Sequence, residues 1–264
     1  MNIELSGKTA LVTGSTAGIG YAIAKGLAAS GAGVVINGRG QDKVDAAVAN
    51  LKQAVSSAKV RGMAADVSTA DGCNALTTAL PDVDILINNA GIFEPKNFFN
   101  IPDEDWSRFF EVNVMSGVRL SRAYLSGMLK RNWGRIIFIS SESALNIPNE
   151  MIHYGMTKTA QLAVSRGLAK LTRGTAVTVN SVLPGPTMSD GVETMLKALA
   201  KERGQTVEEA AANFVKQHRP DSLLQRFASV DEVANMVVYA ASKEASATNG
   251  AALKVEGGIV NTIG

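Results

Sequence analysis

The stretch TGSTAGIG at Thr13–Gly20 decides the fold, and it follows directly on the β-branched run Thr9–Val12. An alanine-rich segment with helical spacing comes next, so the glycines stand between a predicted strand and a predicted helix. Gly14 permits a tight turn, Gly18 lets the backbone approach a ligand, and Gly20 lets the helix pack close to a sheet. Free N–H groups at the helix start favour an anion such as a phosphate. The alternative is a glycine-rich turn that binds nothing.

Short apolar runs alternate with longer segments of helical spacing along the rest of the chain. Such nearly continuous runs are typical of strands buried on both faces of a parallel sheet. The runs are Gly33–Ile36, Ile85–Ile87, Ile136–Ile139 and Val177–Val182, with a last strand near Ala251–Val255. This order predicts an α/β fold, a single Rossmann-type doubly wound parallel sheet of about seven strands with helices on both faces.

We expect one dinucleotide-binding and catalytic domain over residues 1–264, because no linker, charge block or internal repeat divides the chain. The one shift in composition is a polar insert at about 188–226, which is too long for an ordinary connection and indicates a cover over the substrate. Met195 and Leu196 are expected to face inward from it. Its predicted helices are Val192–Lys201 and Val207–Gln217.

The charge balance and the scarcity of cysteine and histidine exclude several classes of function. Lys and Arg number 26 against 24 Asp and Glu, a net charge of +2, so no nucleic-acid partner is expected. One cysteine, Cys73, and two histidines predict no metal site. The start of the chain lacks a signal-peptide pattern, and the apolar runs are too short to span a bilayer. We therefore expect a cytoplasmic protein with no membrane partner.

Tyr154 and Lys158 are four residues apart in a predicted helix, so they share one face. Such a pair is usually an ordinary amphipathic one. Here, however, Ser141 lies thirteen residues before Tyr154, at the end of a predicted strand. Reactive groups of open α/β sheets gather at the carboxyl ends of the strands, where the glycine turn also lies. The three side chains are therefore predicted to meet beside that turn.

Three more motifs follow the glycine turn along the chain: NNAG at Asn88–Gly91, Asn113 within a predicted helix, and Pro184-Gly185 after the sixth strand. Asparagine and glycine commonly end strands, but asparagine is a poor residue inside a helix. Together with Ser141, Tyr154 and Lys158, this order resembles the short-chain dehydrogenase/reductase family, whose glycine turn has the pattern TGxxxGxG. The resemblance extends over essentially the whole chain.

The resemblance implies an NAD(P)(H)-dependent oxidoreductase that interconverts a ketone and a secondary alcohol by hydride transfer. It makes Tyr154 the general acid/base, while Ser141 orients the substrate oxygen, Lys158 binds the nicotinamide ribose and Asn113 holds a water of a proton relay. An unperturbed tyrosine has a pKa of about 10, too high for a base at neutral pH. The ammonium group of Lys158 is expected to lower the pKa of Tyr154.

The end of the second strand decides between the two nicotinamide cofactors. NAD-selective folds have a carboxylate at this point that binds the ribose 2′-hydroxyl. Gly38 occupies that position here, and the next residue, Arg39, can bind a 2′-phosphate. NADP(H) is therefore predicted, with NAD(H) as the alternative if Arg39 merely stacks on the adenine of the cofactor or faces water and binds no phosphate. The cofactor-binding residues implied by the family are Gly14, Ser15, Thr16, Gly18, Ile19, Gly20, Arg39, Asp66, Val67, Asn89, Ala90, Gly91, Tyr154, Lys158, Pro184, Gly185, Thr187 and Ser189.

Residues that flank the catalytic motifs are predicted to contact a small-molecule carbonyl or alcohol substrate: Ser143, Leu145, Met151 and Met188. Most are apolar, which favours an alkyl, acyl or cyclic ketone. Two other functions stay open, an NAD-dependent 3-hydroxy acid dehydrogenase and a non-catalytic nicotinamide-binding sensor. The family resemblance also implies a homo-oligomer, typically a homotetramer.

Overall fold

The structure, a computed structural model, describes residues 2–263 and is built around one parallel sheet. Its strands are β1 (Thr9–Val12), β2 (Gly33–Gly38), β3 (Lys59–Ala64), β4 (Ile85–Asn88), β5 (Gly134–Ile139), β6 (Val177–Pro184), β7 (Thr187–Met188), β8 (Ala228–Ser229) and β9 (Ala252–Val255). Within the described residues the main sheet has seven strands in the order β3-β2-β1-β4-β5-β6-β9, and β7 pairs separately with β8. The predicted doubly wound fold is confirmed.

Helices cover both faces of the sheet. They are α1 (Gly18–Ala29), α2 (Gln41–Ala54), α3 (Ala70–Ala79), α4 (Asp103–Phe110), α5 (Ser116–Lys130), α6 (Ile152–Leu171), α7 (Asp190–Arg203), α8 (Val207–His218) and α9 (Val230–Ala241). Side chains alternate along β1, so Ala10 and Val12 join the core of α1 and α9, whereas Leu11 joins the core of α3 and α5. The strands are therefore buried on both sides, which explains their continuous apolar runs.

Two strands extend two residues beyond the carboxyl ends of the apolar runs that predicted them. β2 continues to Gly38, and β6 continues to Pro184. In both cases pairing with the neighbouring strand continues beyond the apolar residues, with Gly38 opposite Ala64 and Pro184 opposite Val255. Hydrogen bonding to a neighbour, which local hydrophobicity does not report, sets these ends.

The insert after β6 folds into α7 and α8 and has a small core of its own. Leu196 is fully buried in that core, together with Ala200, Ala210 and Val215. The prediction that Leu196 faces the substrate is therefore wrong, whereas Met195 does line the cleft described below. Neighbouring residues of a helix point about 100° apart, so the two side chains cannot both face the same space.

Candidate active site

A cleft of about 630 Å³ opens where the central parallel strands end. Its walls come from the glycine turn after β1, the NNAG turn after β4, the segment after β5, the start of α6, the Pro-Gly turn after β6, and helices α7 and α8. Parallel strands place their carboxyl ends at one edge of the sheet, and that edge brings these distant segments together. The volume is within the usual range for a small-molecule site.

The glycine turn forms a cradle that only glycine allows. Gly14 and Gly18 have positive φ angles of 59° and 58°, a region that L side chains rarely adopt. A Cβ atom on Gly20 would lie 2.5 Å from both Asn89 Nδ2 and Gly14 O. The turn therefore presents main-chain N–H groups at the start of α1 that have no acceptor within the helix, and it fits the pyrophosphate of a dinucleotide.

Hydrogen bonds from the NNAG turn hold the cradle in shape. Asn89 Nδ2 donates to the carbonyl oxygens of Thr13 and Gly14 at 2.8 and 2.9 Å. The Thr13 hydroxyl in turn accepts from the main-chain N–H groups of Asn89 and Ala90, each at 2.9 Å. Ser15 is buried beneath the turn, where its hydroxyl donates to Val12 O at 2.6 Å. These bonds fix the ends of β1 and β4 relative to each other.

Asp190, at the start of α7, also contacts the cradle. Its Oδ2 accepts a hydrogen bond of 3.0 Å from the main-chain N–H of Gly18, 172 residues earlier in the chain. The insert is thus connected to the helix start at which an anion would bind. Asp190 was not predicted from the sequence. An aspartate in the first turn of a helix is common, because its charge interacts favourably with the helix dipole, and the local sequence indicates no further role.

Ser141, Tyr154 and Lys158 meet in the cleft as predicted from their spacing. All three side chains line the cleft, and Lys158 Nζ lies 5.5 Å from the centre of the Tyr154 ring. Lys158 is only 4% exposed, and its Nζ donates to Ile139 O at 2.9 Å. The Ser140 hydroxyl also donates to the Lys158 carbonyl oxygen at 2.9 Å, which attaches α6 to the end of β5.

The pKa of Tyr154 differs from the sequence-based expectation. Burial raises it to about 12, and the hydrogen bond with Ser141 opposes that rise. Burial also lowers the pKa of Lys158 to about 7. The predicted lowering of the Tyr154 pKa by the ammonium group of Lys158 is not seen, because desolvation of the phenol is the largest influence and raises the pKa. At neutral pH Tyr154 is therefore a protonated phenol.

Asn113 lies fully buried in a π-helical turn, Glu111–Met115, between α4 and α5. Its side chain accepts from Ile92 N at 2.8 Å and donates to Ile92 O and to the Thr157 hydroxyl at 3.0 and 2.9 Å. The main-chain carbonyl oxygen of Asn113 faces α6 from this π turn. There Gln161 Nε2 donates to it at 2.6 Å. Sequence reasoning missed Gln161, one helical turn beyond Lys158.

Replacing Gln161 by leucine is expected to lower the free energy of unfolding by about 1–3 kcal/mol, because it leaves a buried carbonyl oxygen without its donor. Urea denaturation measures the loss. The matched control is Gln53→Leu on the exposed side of α2, which should leave the midpoint close to that of the unaltered protein. Equal midpoints for both variants would contradict this role of Gln161.

The residues that are predicted to select the cofactor lie at the carboxyl ends of β2 and β3. Gly38 brings no carboxylate to this position, and a Cβ atom there would lie 2.6 Å from Thr16 Cγ2. Arg39 is exposed, and within residues 2–263 its guanidinium forms no hydrogen bond or ion pair. Asp66 Oδ1 accepts from the main-chain N–H and the hydroxyl of Ser68, whereas Val67 is buried in the core.

The predicted cofactor residues fall into two groups. The cleft is lined by Gly14, Gly18, Ile19, Gly20, Asn89, Gly91, Tyr154, Lys158, Pro184, Gly185, Thr187 and Ser189. Its lining does not include Ser15, Thr16, Arg39, Asp66, Val67 and Ala90. The roles of both groups toward a cofactor stay predictions.

Two of the four predicted substrate residues line the cleft, and two do not. Ser143 and Met151 belong to its wall, and the Ser143 main-chain N–H donates to the Ser141 hydroxyl oxygen at 3.1 Å. Met188 packs instead against the core of the insert, and Leu145 is 46% exposed outside the lining. The sequence placed Leu145 and Met188 near the catalytic motifs, but the direction of their side chains takes them elsewhere.

Neither a group of metal ligands nor a membrane-spanning helix is found among the described residues. Between residues 2 and 263, no three His, Cys, Asp or Glu side chains are grouped in a way that could hold a metal ion. Of the helices in that range, none has both the length and the apolar character needed to cross a membrane.

The chain is similar to several known proteins. Residues 8–200 match the family model described as short chain dehydrogenase. The Bacillus subtilis protein called "Uncharacterized oxidoreductase YvaG" is 52% identical over 263 residues, which cover all of both chains. The D-beta-hydroxybutyrate dehydrogenase of Cupriavidus necator is 35% identical over 260 residues, 97% of this chain and 99% of that one.

A solved structure is also similar over its full length. The L-sorbose reductase from Gluconobacter frateurii, crystallised with NADPH and L-sorbose, superimposes with a TM-score of 0.92 at 33% identity, and the match covers all of both chains.

Proposed function

The chain belongs to the short-chain dehydrogenase family, and from that premise we propose that it is an NADP(H)-dependent enzyme that interconverts a ketone and a secondary alcohol. The comparisons confirm three predictions: the family, the oxidoreductase class and the use of a nicotinamide cofactor. One observation carries the proposal, the meeting of Ser141, Tyr154 and Lys158 beside a cradle that fits a dinucleotide.

The cofactor, when bound, supplies or accepts the hydride. The chain's own residues position the substrate and move the proton. The Ser141 hydroxyl donates a hydrogen bond to the substrate carbonyl oxygen and polarises it. The Tyr154 hydroxyl gives its proton to that oxygen in reduction and takes it back in oxidation. Because the pKa of Tyr154 is raised to about 12, the protonated form that reduction needs predominates at neutral pH.

Lys158 would hold the nicotinamide ribose, in keeping with the family resemblance. Its Nζ is held by Ile139 O, and its pKa of about 7 leaves it able to gain or lose a proton near neutrality. Asn113 would support a proton relay through its carbonyl oxygen, which the π-helical turn and Gln161 orient. The intact set of four residues speaks against a non-catalytic sensor.

We propose a preference for NADP(H), because Gly38 brings no carboxylate and Arg39 has no partner among the other described residues. Arg39→Ser is expected to weaken NADPH binding about 10- to 100-fold, since it removes a charge-assisted contact to the 2′-phosphate, and to leave NADH binding unchanged. Thermal-shift titration with each cofactor measures both effects. The control is Arg203→Ser at the exposed end of α7.

Equal shifts by NADPH and NADH in the unaltered protein would contradict the preference for NADP(H). They would favour the second candidate, an NAD-dependent 3-hydroxy acid dehydrogenase. The similarity to the hydroxybutyrate dehydrogenase of Cupriavidus necator supports that candidate.

We also propose that the protein is a homotetramer in the cytoplasm, without nucleic-acid or membrane partners. A groove between α5 and α6 supports the subunit contact, since its lining is largely apolar and includes Leu125, Leu129, Val164 and Leu171. Leu171 is 63% exposed, which is unusual for a large apolar side chain in such a groove. Light scattering of the purified protein measures the mass.

A further inference from the structure

The insert contributes a charged side chain to the catalytic end of the cleft. Arg219 follows α8, is 9% exposed, and lines the same cleft as Ser141 and Tyr154. Its Nε donates to Glu142 Oε1 at 2.8 Å, across 77 residues of chain. Glu142 is buried as well, so the two charges are paired away from water. Loss of either partner would leave the other charge buried without compensation.

Glu142 belongs to the segment that carries the catalytic serine. Ser141 precedes it directly, and the Ser141 hydroxyl oxygen accepts from Ser143 N at 3.1 Å, at the start of the short 3-10 turn that begins with Glu142. Helix α6, which carries Tyr154, is attached to the end of the same turn, where the Thr159 hydroxyl donates to a main-chain oxygen at 2.8 Å. The charge of Glu142 is therefore held close to the groups that polarise the substrate and move its proton.

A negative charge at this place opposes the ionisation of Tyr154. In reduction the Tyr154 phenol gives up its proton, and in oxidation the phenolate must be present to take the proton of the alcohol. Burial is the largest influence on the pKa of Tyr154. Among the charged groups, the Glu142 carboxylate raises this pKa and the Arg219 guanidinium lowers it. The ion pair therefore balances two opposite effects on the proton donor.

Three other ionisable groups lie near the pair and leave this balance to Arg219. Glu150 Oε1 lies 3.6 Å from Arg219 Nη1, but its side chain is 37% exposed, so water screens its charge. Burial and the charge of Glu256 raise the pKa of Glu142, which the Arg219 guanidinium opposes. Lys158 has a pKa of about 7 and is mostly uncharged at pH 9.

We propose that Arg219 is a positioning residue for the proton-transfer step, which acts through Glu142 by balancing the carboxylate held beside Ser141 and Tyr154. This inference rests on the proposed interconversion of ketone and alcohol, and it gives a residue of the insert a part in that reaction. In oxidation the alcohol gives a hydride from its carbinol carbon to NADP+ and a proton from its oxygen to the Tyr154 phenolate. Loss of Arg219 makes that phenolate harder to form, and loss of the Glu142 charge makes it easier.

Two variants that break the same ion pair should therefore change the oxidation rate in opposite directions. The measurement is the single-turnover rate of NADPH formation at pH 9, well below the pKa of about 12 of Tyr154, with propan-2-ol, cyclohexanol and 3-hydroxybutyrate as probes. Arg219→Met is expected to lower the rate about 3- to 30-fold, and Glu142→Gln to raise it about 2- to 10-fold. Arg219→Lys keeps the charge and should stay within about threefold of the unaltered protein.

The opposite signs separate this role from a merely structural one, since the loss of a structural contact would slow both variants. The matched control is Arg203→Met at the exposed end of α7, which should leave the rate unchanged. A fall in both variants, or no change in either, would overturn the inference and leave the proposed function standing. If Arg219→Met fails to fold, the rise expected in Glu142→Gln decides the matter alone. No turnover of any probe by the unaltered protein would overturn the proposed function and the inference together.

Discussion

Tyr154→Phe is expected to reduce kcat for ketone reduction about 1,000-fold, because it removes the proton donor and leaves the cleft otherwise intact. The pKa of about 12 shows that the phenol is protonated at neutral pH, so the lost group is the one that reduction uses. The rate of NADPH oxidation with a reducible ketone measures the effect.

The control for this variant is Tyr239→Phe on α9, away from the cleft, which should keep its turnover. NADPH should raise the melting temperature of both variants and of the unaltered protein by similar amounts, since Tyr154 contributes little to holding the phosphates. Unchanged turnover in Tyr154→Phe would refute the assignment of the general acid.

Lys158→Met is expected to stop turnover and yet to stabilise the protein at neutral pH by about 1–3 kcal/mol, because it removes the cost of burying an amine. The pKa of Lys158 is lowered from 10.5 in the unfolded chain to about 7 in the folded one. Between these values the unfolded chain binds a proton that the folded protein does not. The contribution of Lys158 to stability is therefore greatest above pH 10.5 and falls as the pH drops toward 7.

Urea denaturation at pH 7 and pH 9 tests this expectation. At pH 7 the free energy of unfolding of Lys158→Met should exceed that of the unaltered protein. At pH 9 the excess should be smaller, because the unaltered protein gains stability as the pH rises. Lys52→Met on the exposed side of α2 is the control and should show no such difference. If Lys158→Met proves less stable than the unaltered protein at pH 7, the buried amine is not a cost to folding.

The sequence predicts the fold well because the decisive signals are local. A strand, a glycine turn and a helix in succession fix β1 and α1, and Tyr154 and Lys158 share a face by spacing alone. The carboxyl-end rule for parallel sheets then brings Ser141 beside them. None of these steps requires knowledge of which distant segments touch.

The features that could not be predicted from the sequence depend on contacts between residues that are far apart in the chain. Asp190 contacts Gly18 across 172 residues, and Arg219 contacts Glu142 across 77. No local pattern distinguishes these side chains from ordinary surface charges. The pKa of Tyr154 was predicted in the wrong direction for the same reason, since desolvation arises from the whole set of surrounding residues and spacing reports only one neighbour.

The proposed function requires that a hydride pass within the cleft between NADPH and a carbonyl carbon. The most direct test is reduction of a ketone substrate with NADPH that carries deuterium at its transferable position, followed by mass spectrometry of the alcohol. One deuterium is expected on the new carbinol carbon, with about 1,000-fold less of this product from Tyr154→Phe over the same time. An alcohol without deuterium, or equal amounts of labelled product from both proteins, would contradict hydride transfer in this cleft.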